Sequence, residues 1–466
     1  MTKRVPRNPR AERLAKVNAD ATPNGRIEHV ETIPMGSALD IQRFRLENGL
    51  EVLTLEDHSA PVVAYHTWFH VGSRHEEEGK TGLAHLFEHL MFNEMEGRPA
   101  GEFDRALEEA GAESNASTWL DWTHYNVAIP KDRLGLLIQL EADRMAKLVL
   151  REPQLQSEKE VVANERRYRV EDDVEGAVNE LLWSTAFTTH AYRWPTIGWM
   201  SDILGFTTDD CEKFYKTFYA PNNSTLVVVG DYSEADLLKR VSRAYGHMTP
   251  SVMPVEDVRP EPPQTEERRK EVYKPTATDK LAIGYRSPAM GDFDHPAMSL
   301  LSEVLCGGRA SRLHRNLVRE LEIASDVRTF VGVFRDPGLL EVFVSAREGH
   351  SAEELLEAVD KELERTREEP VSPQEIERAI ARFELGLLTS LETADGKAST
   401  IGFYEVVLGR PAAAFERLAA LRRVGPSDLR RVARRYLVNK SRTAVLVRPQ
   451  SGASKTELTS SGGNND

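Results

Sequence analysis

The sequence predicts an α+β fold made of two related domains. Three observations carry this reading: antiparallel-strand signals mix with long helical periods, a proline-rich stretch divides the chain, and the two parts end in the same pattern. The strand signal is clearest at 41–57 (IQRFRLENGLEVLTLED), where alternating apolar positions flank Asn48-Gly49, a strong hairpin-turn pair. A further strand is expected at about 62–71 (VVAYHTWFHV). Helical period takes over at 82–92, 133–150 and 155–170.

Between 250 and 275, Pro250, Pro254, Pro260, Pro262, Pro263 and Pro275 stand among many charges, which is linker chemistry. Sliding one half along the other at an offset of 218 places Asp210 on Asp428, Phe218 on Tyr436 and Thr225 on Thr443. The run Leu226-Val227-Val228-Val229 then falls on Ala444-Val445-Leu446-Val447, so a helix, a break and a buried strand close each half. The expected organisation is a flexible arm (1–34), a first domain (35–249), a linker (250–275), a second homologous domain (276–449) and a disordered tail (450–466). Each domain is expected to be an α/β sandwich, an antiparallel-rich sheet with helices packed on it.

Composition narrows the function. With 466 residues, 40% hydrophobic and 29% charged, the chain can bury a sizeable core without staples. Cys211 and Cys306, 95 residues apart, suggest neither a disulfide framework nor a cysteine metal site. A net charge of −14 argues against a nucleic-acid partner and suits a basic or unfolded peptide. The first 25 residues are basic but hold no apolar run of signal-peptide length, and Glu12 and Asp20 spoil a transit-peptide pattern. A cytoplasmic bacterial protein is the expectation, with an organelle or the periplasm left open. No apolar stretch reaches the ~18 residues of a membrane span.

The chemistry concentrates in His85-Leu86-Phe87-Glu88-His89. On a helix, His85 and His89 are one turn apart on one face, so both imidazoles can reach one zinc ion at about 2.0–2.1 Å. Glu88 stands beside them, placed to take a proton from a water that the metal acidifies. This is the H-x-x-E-H order, the inverse of the commoner H-E-x-x-H zinc helix. A third ligand is expected from 157–167 (SEKEVVANERR), where Glu158 and Glu165 lie seven residues apart on one stripe. Glu165 is the expected ligand, and Glu158 the acceptor that orients an imidazole. At the offset of 218, His85, Glu88 and His89 fall on Glu303, Cys306 and Gly307, so only the first copy carries ligands. Among the other histidines, His66, His70, His75, His124 and His190 are assigned surface or packing roles.

These residues resemble the pitrilysin and insulysin type of peptidases, the inverzincins, and among them the mitochondrial-processing-peptidase-like members. In that family a ligand Glu follows the HxxEH helix by about 76 residues, with another Glu seven before it; Glu165 is 76 after His89, and Glu158 stands seven earlier. Further matches are Leu46-Glu47-Asn48-Gly49-Leu50, Val71-Gly72-Ser73, Gly82-Leu83-Ala84, Met91-Phe92, Tyr219-Ala220-Pro221-Asn222-Asn223 and Val229-Gly230-Asp231. The resemblance covers about 35–449. It implies two domains forming half of a clamshell chamber, and one zinc ion per chain. It also implies that Ser114, Asn115 and Ala116 lie on an edge strand along which a substrate peptide is laid, pairing through its main chain.

In the second half, Gly307-Gly308-Arg309-Ala310-Ser311-Arg312-Leu313 resembles the family's glycine-rich segment, and the helix after it carries Arg319. Many members place a Tyr seven residues after that Arg, and the pair grips the substrate and the transition-state oxygen. Here position 326 is Asp, and a one-residue gap offers only Ser325. The resemblance therefore implies a zinc-bearing subunit whose related partner lacks the zinc motif and supplies the pair, with a homodimer as the alternative. The expected function is a zinc-dependent endopeptidase of extended or unfolded peptides. The competing expectations are a non-catalytic structural subunit of a larger complex and a zinc hydrolase of non-peptide substrates.

Overall fold

The computed structural model describes residues 9–256 and 259–450. The first unit, residues through Arg166 with Thr189–Pro260 and Ile380–Arg423, holds a seven-stranded sheet. Its strands are β1 (Ile27–Met35), β2 (Leu39–Leu46), β3 (Glu51–Glu56), β4 (Val62–Phe69), β5 (Glu113–Thr118), β6 (Thr123–Pro130) and β7 (Ser224–Gly230). Their spatial order is β1-β2-β3-β7-β4-β6-β5. The second unit, Arg167–Thr188, Glu261–Ala379 and the chain from Val424, holds β8 (Arg268–Lys274), β9 (Lys280–Arg286), β10 (Ala324–Val331), β11 (Leu339–Ala346) and β12 (Arg442–Pro449). Their order is β10-β11-β9-β12-β8.

The internal repeat is visible in this connectivity. Five strands of the first sheet, β3-β7-β4-β6-β5, match β8-β12-β9-β11-β10 of the second. The parallel pair recurs as β3/β7 and β8/β12, while the other pairs are antiparallel. Asp210 and Asp428, related by the offset of 218, are each the third residue of their helix, with carboxylates that accept from Thr207 N and Gly425 N at 3.0 Å. The hairpin at Asn48-Gly49 joins β2 and β3, with Gly49 at φ +89°. Asn48 leaves the turn to donate its amide to the carbonyls of Tyr245 (2.9 Å) and Met248 (3.2 Å).

Three boundaries differ from the sequence expectation. The arm expected at 1–34 contains a helix (Pro9–Ala19) and the edge strand β1, whose mixed polar sequence hides a ladder to β2 running from Ile27/Leu46 to Met35/Leu39. The linker expected at 250–275 ends in β8, a charge-rich edge strand of the kind that blunts edge-to-edge pairing. The two domains are not contiguous in sequence: 167–188 joins the second unit and 380–423 the first. The tail expected to be disordered lies, from residue 451, outside the described residues.

Burial explains the exchange in the first unit. Leu226 and Val228 of β7 point into one core with the helices of the first half, while Val227 and Val229 point into another. That second face is covered by the helix Ala394–Leu408 through Ala398, Ile401 and Val406. Gly402 permits close approach, since a Cβ there would lie 2.0 Å from Trp68 Nε1. Arg43 of β2 forms a two-point ion pair with Glu405, at 2.6 and 2.8 Å, with both side chains buried. In the second unit the helix Val174–Ala186 packs on β9 and β12, and Trp183 and Asn179 donate to buried Glu341, whose carboxyl burial pushes up to about 7.

Removing Glu405 leaves the buried Arg43 guanidinium only partly compensated, by Glu31 at 3.1 Å and Glu51 at 3.5 Å. Glu405→Ala is therefore expected to destabilise the protein by about 2 kcal/mol, read as a lower urea midpoint. An unchanged midpoint would contradict the pairing of these distant segments.

Candidate metal centre

The histidine helix is short, Leu83–Leu90, and its apolar residues Leu83, Leu86, Phe87 and Leu90 are buried at i, i+3, i+4 and i+7. That spacing leaves His85, Glu88 and His89 together on the other face. Gly82 caps the helix at φ +96°. The buried Glu76 carboxylate accepts from both Gly82 N and Ala84 N at 2.8 Å, holding the helix at the end where its dipole favours an anion. Burial, only partly offset by these two bonds, raises the Glu76 carboxyl well above the ordinary carboxylate range. From beneath, Tyr125 of β6 donates to the Phe87 carbonyl at 3.1 Å.

The second contributor is the helix Glu152–Arg166, which continues into a π-helical turn at Arg167–Glu171. It brings Glu165 Oε2 to 3.6 Å from His85 Nε2 and 3.3 Å from His89 Nε2. Four donors at about 2.0–2.2 Å from a zinc ion, arranged tetrahedrally, are about 3.3–3.6 Å apart. The observed separations match one edge pair of that figure, and two imidazoles with one carboxylate are a donor set zinc accepts. Among the described residues, His85, His89 and Glu165 form the one group of three His, Cys, Asp or Glu side chains close enough to hold a metal ion.

Further charged groups surround this triangle. Glu158 Oε2 lies 3.7 Å from His89 Nδ1, the nitrogen turned away from Glu165, and Asn93 donates to Glu158 Oε1 at 2.9 Å. At 3.7 Å this is an ionic contact rather than a hydrogen bond, and it favours a proton on Nδ1, leaving Nε2 to a metal. Burial alone would lower the His89 imidazole, but Glu165, Glu158 and Glu88 outweigh it and hold it above its ordinary value. Glu88 is half-buried, close enough to Tyr125 and Tyr219 to help raise both phenols.

The structure thus brings together His85, His89, Glu165, Glu158 and Glu88. Ser114, Asn115 and Ala116 lie on β5, the edge strand of the same sheet, against which the histidine helix packs. Asn115 folds back, its Oδ1 accepting from Ala116 N at 2.9 Å. Arg319 is exposed in the second unit, on the π-helical stretch His314–Glu320, and Asp326 is exposed on β10. His66 bonds to Asp395 (2.9 Å) and to His124 (3.1 Å), and His70 to Thr225 (3.0 Å). Nothing in the sequence assigns Glu76 or Asn93 these roles. Glu76 sits in an acidic run that reads as solvated surface, and only its place before Gly82 hints at a cap.

A metal must displace a proton from His89, so affinity is linked to pH. The zinc dissociation constant is expected to rise as pH falls, beginning above the ordinary imidazole value of 6.5. Glu158→Gln removes one of the charges holding that proton and should move the onset to lower pH, measured by chelator competition across pH. An onset indifferent to Glu158 would contradict the reading.

The chain is similar to known proteins along most of its length. Residues 51–198 match the family described as insulinase, peptidase family M16, and residues 205–383 match its peptidase M16 inactive domain. The zinc protease PqqE of Helicobacter pylori is 28% identical over 436 residues, covering 91% of this chain and 98% of that protein. An uncharacterized zinc protease of Streptomyces coelicolor is 26% identical, covering 87% and 89%. The crystal structure of a protease from Helicobacter pylori superposes with a TM-score of 0.84 at 28% identity, covering 88% of this chain and 99% of that one. The first half of the periplasmic protease PqqL from Escherichia coli shares the fold at a TM-score of 0.73 and 19% identity, covering 90% and 93%. With one family matched on both sides of residue 200 and the fold shared along the chain, this protein belongs to the insulinase family of peptidases, family M16.

Proposed function

We propose that this protein is a zinc-dependent endopeptidase that cleaves extended or unfolded peptides. The observation that carries the reading is the donor triangle of His85, His89 and Glu165 with Glu88 on the same helix face. A zinc ion held there would polarise a peptide carbonyl and bring the pKa of a coordinated water toward about 7. Glu88 takes the proton of the attacking water as its oxygen bonds to the carbonyl carbon. The same carboxyl then delivers that proton to the amine nitrogen as the C–N bond breaks. Glu158 keeps His89 directed inward during both transfers. The free edge of β5 offers main-chain donors and acceptors at 114–116 to any extended peptide, which suits breadth of sequence and a demand for unfolded substrate.

The partner reading extends this one. Arg319 has Asp326 seven residues on, where the resembling enzymes place a tyrosine. We infer that a related subunit supplies that missing donor to the transition-state oxygen, an interaction worth about 10²–10³ in rate in other enzymes.

Two outcomes are expected. Glu88→Gln should bind zinc as the parent does, measured as metal per chain, and lose at least about 10²-fold in cleavage of denatured casein; parent-like activity would overturn the mechanism. The purified chain alone should cleave slowly and accelerate with a co-expressed M16-like subunit, and full activity of the isolated chain would remove the partner from the proposal.

A further inference from the structure

The helix Glu152–Arg166 carries two stripes with one spacing. Glu158 and Glu165 face the histidines; Lys159 and Arg166, one residue on, are turned about 100° from them. Both cations are only 5% exposed, a costly placement for lysine and arginine unless each is bonded. Lys159 Nζ donates to the Phe206 carbonyl at 2.9 Å, and Arg166 Nη1 to the Gly198 carbonyl at 2.8 Å. The Arg166 guanidinium also lies 5.6 Å from the Trp199 ring centroid.

The segment that accepts these bonds also holds the histidine helix. A Cβ on Gly198 would lie 2.2 Å from the Thr81 carbonyl oxygen, and one on Gly82 would lie 2.5 Å from that of Ile197. Trp199 N donates to Thr81 Oγ1 at 3.0 Å, and the Asp202 carboxylate accepts from Thr81 N (3.1 Å) and Oγ1 (2.7 Å). Residues 197–206 are therefore a common bed for both ligand-bearing helices. A buried apolar side chain would fill the same space but tolerate a slide along the bed. A cation bonded to one carbonyl does not. A one-residue slip would turn the carboxylates about 100° away from the histidines.

We propose that Lys159 and Arg166 are positioning residues of the metal site: their bonds to Phe206 and Gly198 set the register of the carboxylate helix, so that Glu165 and Glu158 stand at working distance before a metal binds. This rests on the metal reading above.

The test uses the full chain, freed of metal, with zinc affinity read by competition against a chromogenic chelator and metal-free melting temperature read alongside. Lys159→Met and Arg166→Met are expected to weaken zinc binding about 10–100-fold, as loss of supporting groups does in other metal sites. Arg166→Lys, long enough to reach the same carbonyl, should recover affinity to within a few-fold. If the methionine variants do not fold, Lys159→Gln and Arg166→Gln replace them, with the same loss expected. Folded variants that bind zinc as tightly as the parent would overturn the positioning role. Glu165→Gln separates the two readings: no loss there overturns the metal assignment, whereas loss there with parent-like affinity in the Lys159 and Arg166 variants overturns only the role proposed here.

Discussion

The pair of main-chain bonds accepted by Glu76 is the contact on which the candidate site rests. The histidine helix has eight residues, well under the ~12–15 at which an isolated helix becomes even marginally stable. Its order must come from outside. The Leu83, Leu86, Phe87 and Leu90 stripe binds it to the core, but a stripe leaves rotation and sliding soft. The carboxylate on Gly82 N and Ala84 N fixes the end, and Tyr125 on the Phe87 carbonyl fixes the middle. Between those points His85, Glu88 and His89 have one direction available. The glycine at position 82 follows from the same demand, because the backbone must turn at φ +96° while approaching Ile197 and Gly198 too closely for a Cβ.

The two units show how one topology can carry a site once and a scaffold once. At the positions related to His85, Glu88 and His89, the second copy has Glu303, Cys306 and Gly307. Burial pushes the Cys306 thiol up to about 12, which disfavours the loss of the proton that a metal ligand must give up. The sheet order survived where the chemistry did not, since the order is held by many apolar contacts and the chemistry by three side chains. The match of residues 205–383 to an inactive domain has its physical counterpart in this substitution set.

What could be read in the sequence was what is written locally. A five-residue motif at i, i+3 and i+4 and two glutamates seven apart each declare a helix face, and Asn48-Gly49 between alternating strands declares a hairpin. The exchange of segments was not readable, because it is settled by which sheet face lacks cover, and Arg43 meets Glu405 across 362 residues. Lys159 and Arg166 have the same spacing as the glutamates, yet a cation on a charged helix reads as solvent-facing until a buried carbonyl is seen beneath it. β1 and β8 were hidden for a similar reason: as edge strands they expose much of their surface and carry the polar residues that suit an edge.

The edge at β5 joins these strands of argument. An unpaired strand edge beside a reactive site invites any passing chain, the copy next to it included. Here Asn115 Oδ1 occupies the Ala116 N–H, so one rung of the ladder is closed by the protein's own side chain. A peptide that pairs at this register must bring a carbonyl to replace that oxygen, and in doing so it frees the Asn115 amide to face the incoming strand. The exchange is close to isoenergetic, one neutral N–H···O bond for another, so it neither blocks a peptide nor rewards an isolated contact. Binding then depends on several rungs formed together, which only an extended segment can supply. On the proposed function, selection for unfolded chain would follow from the edge itself, upstream of any side-chain preference.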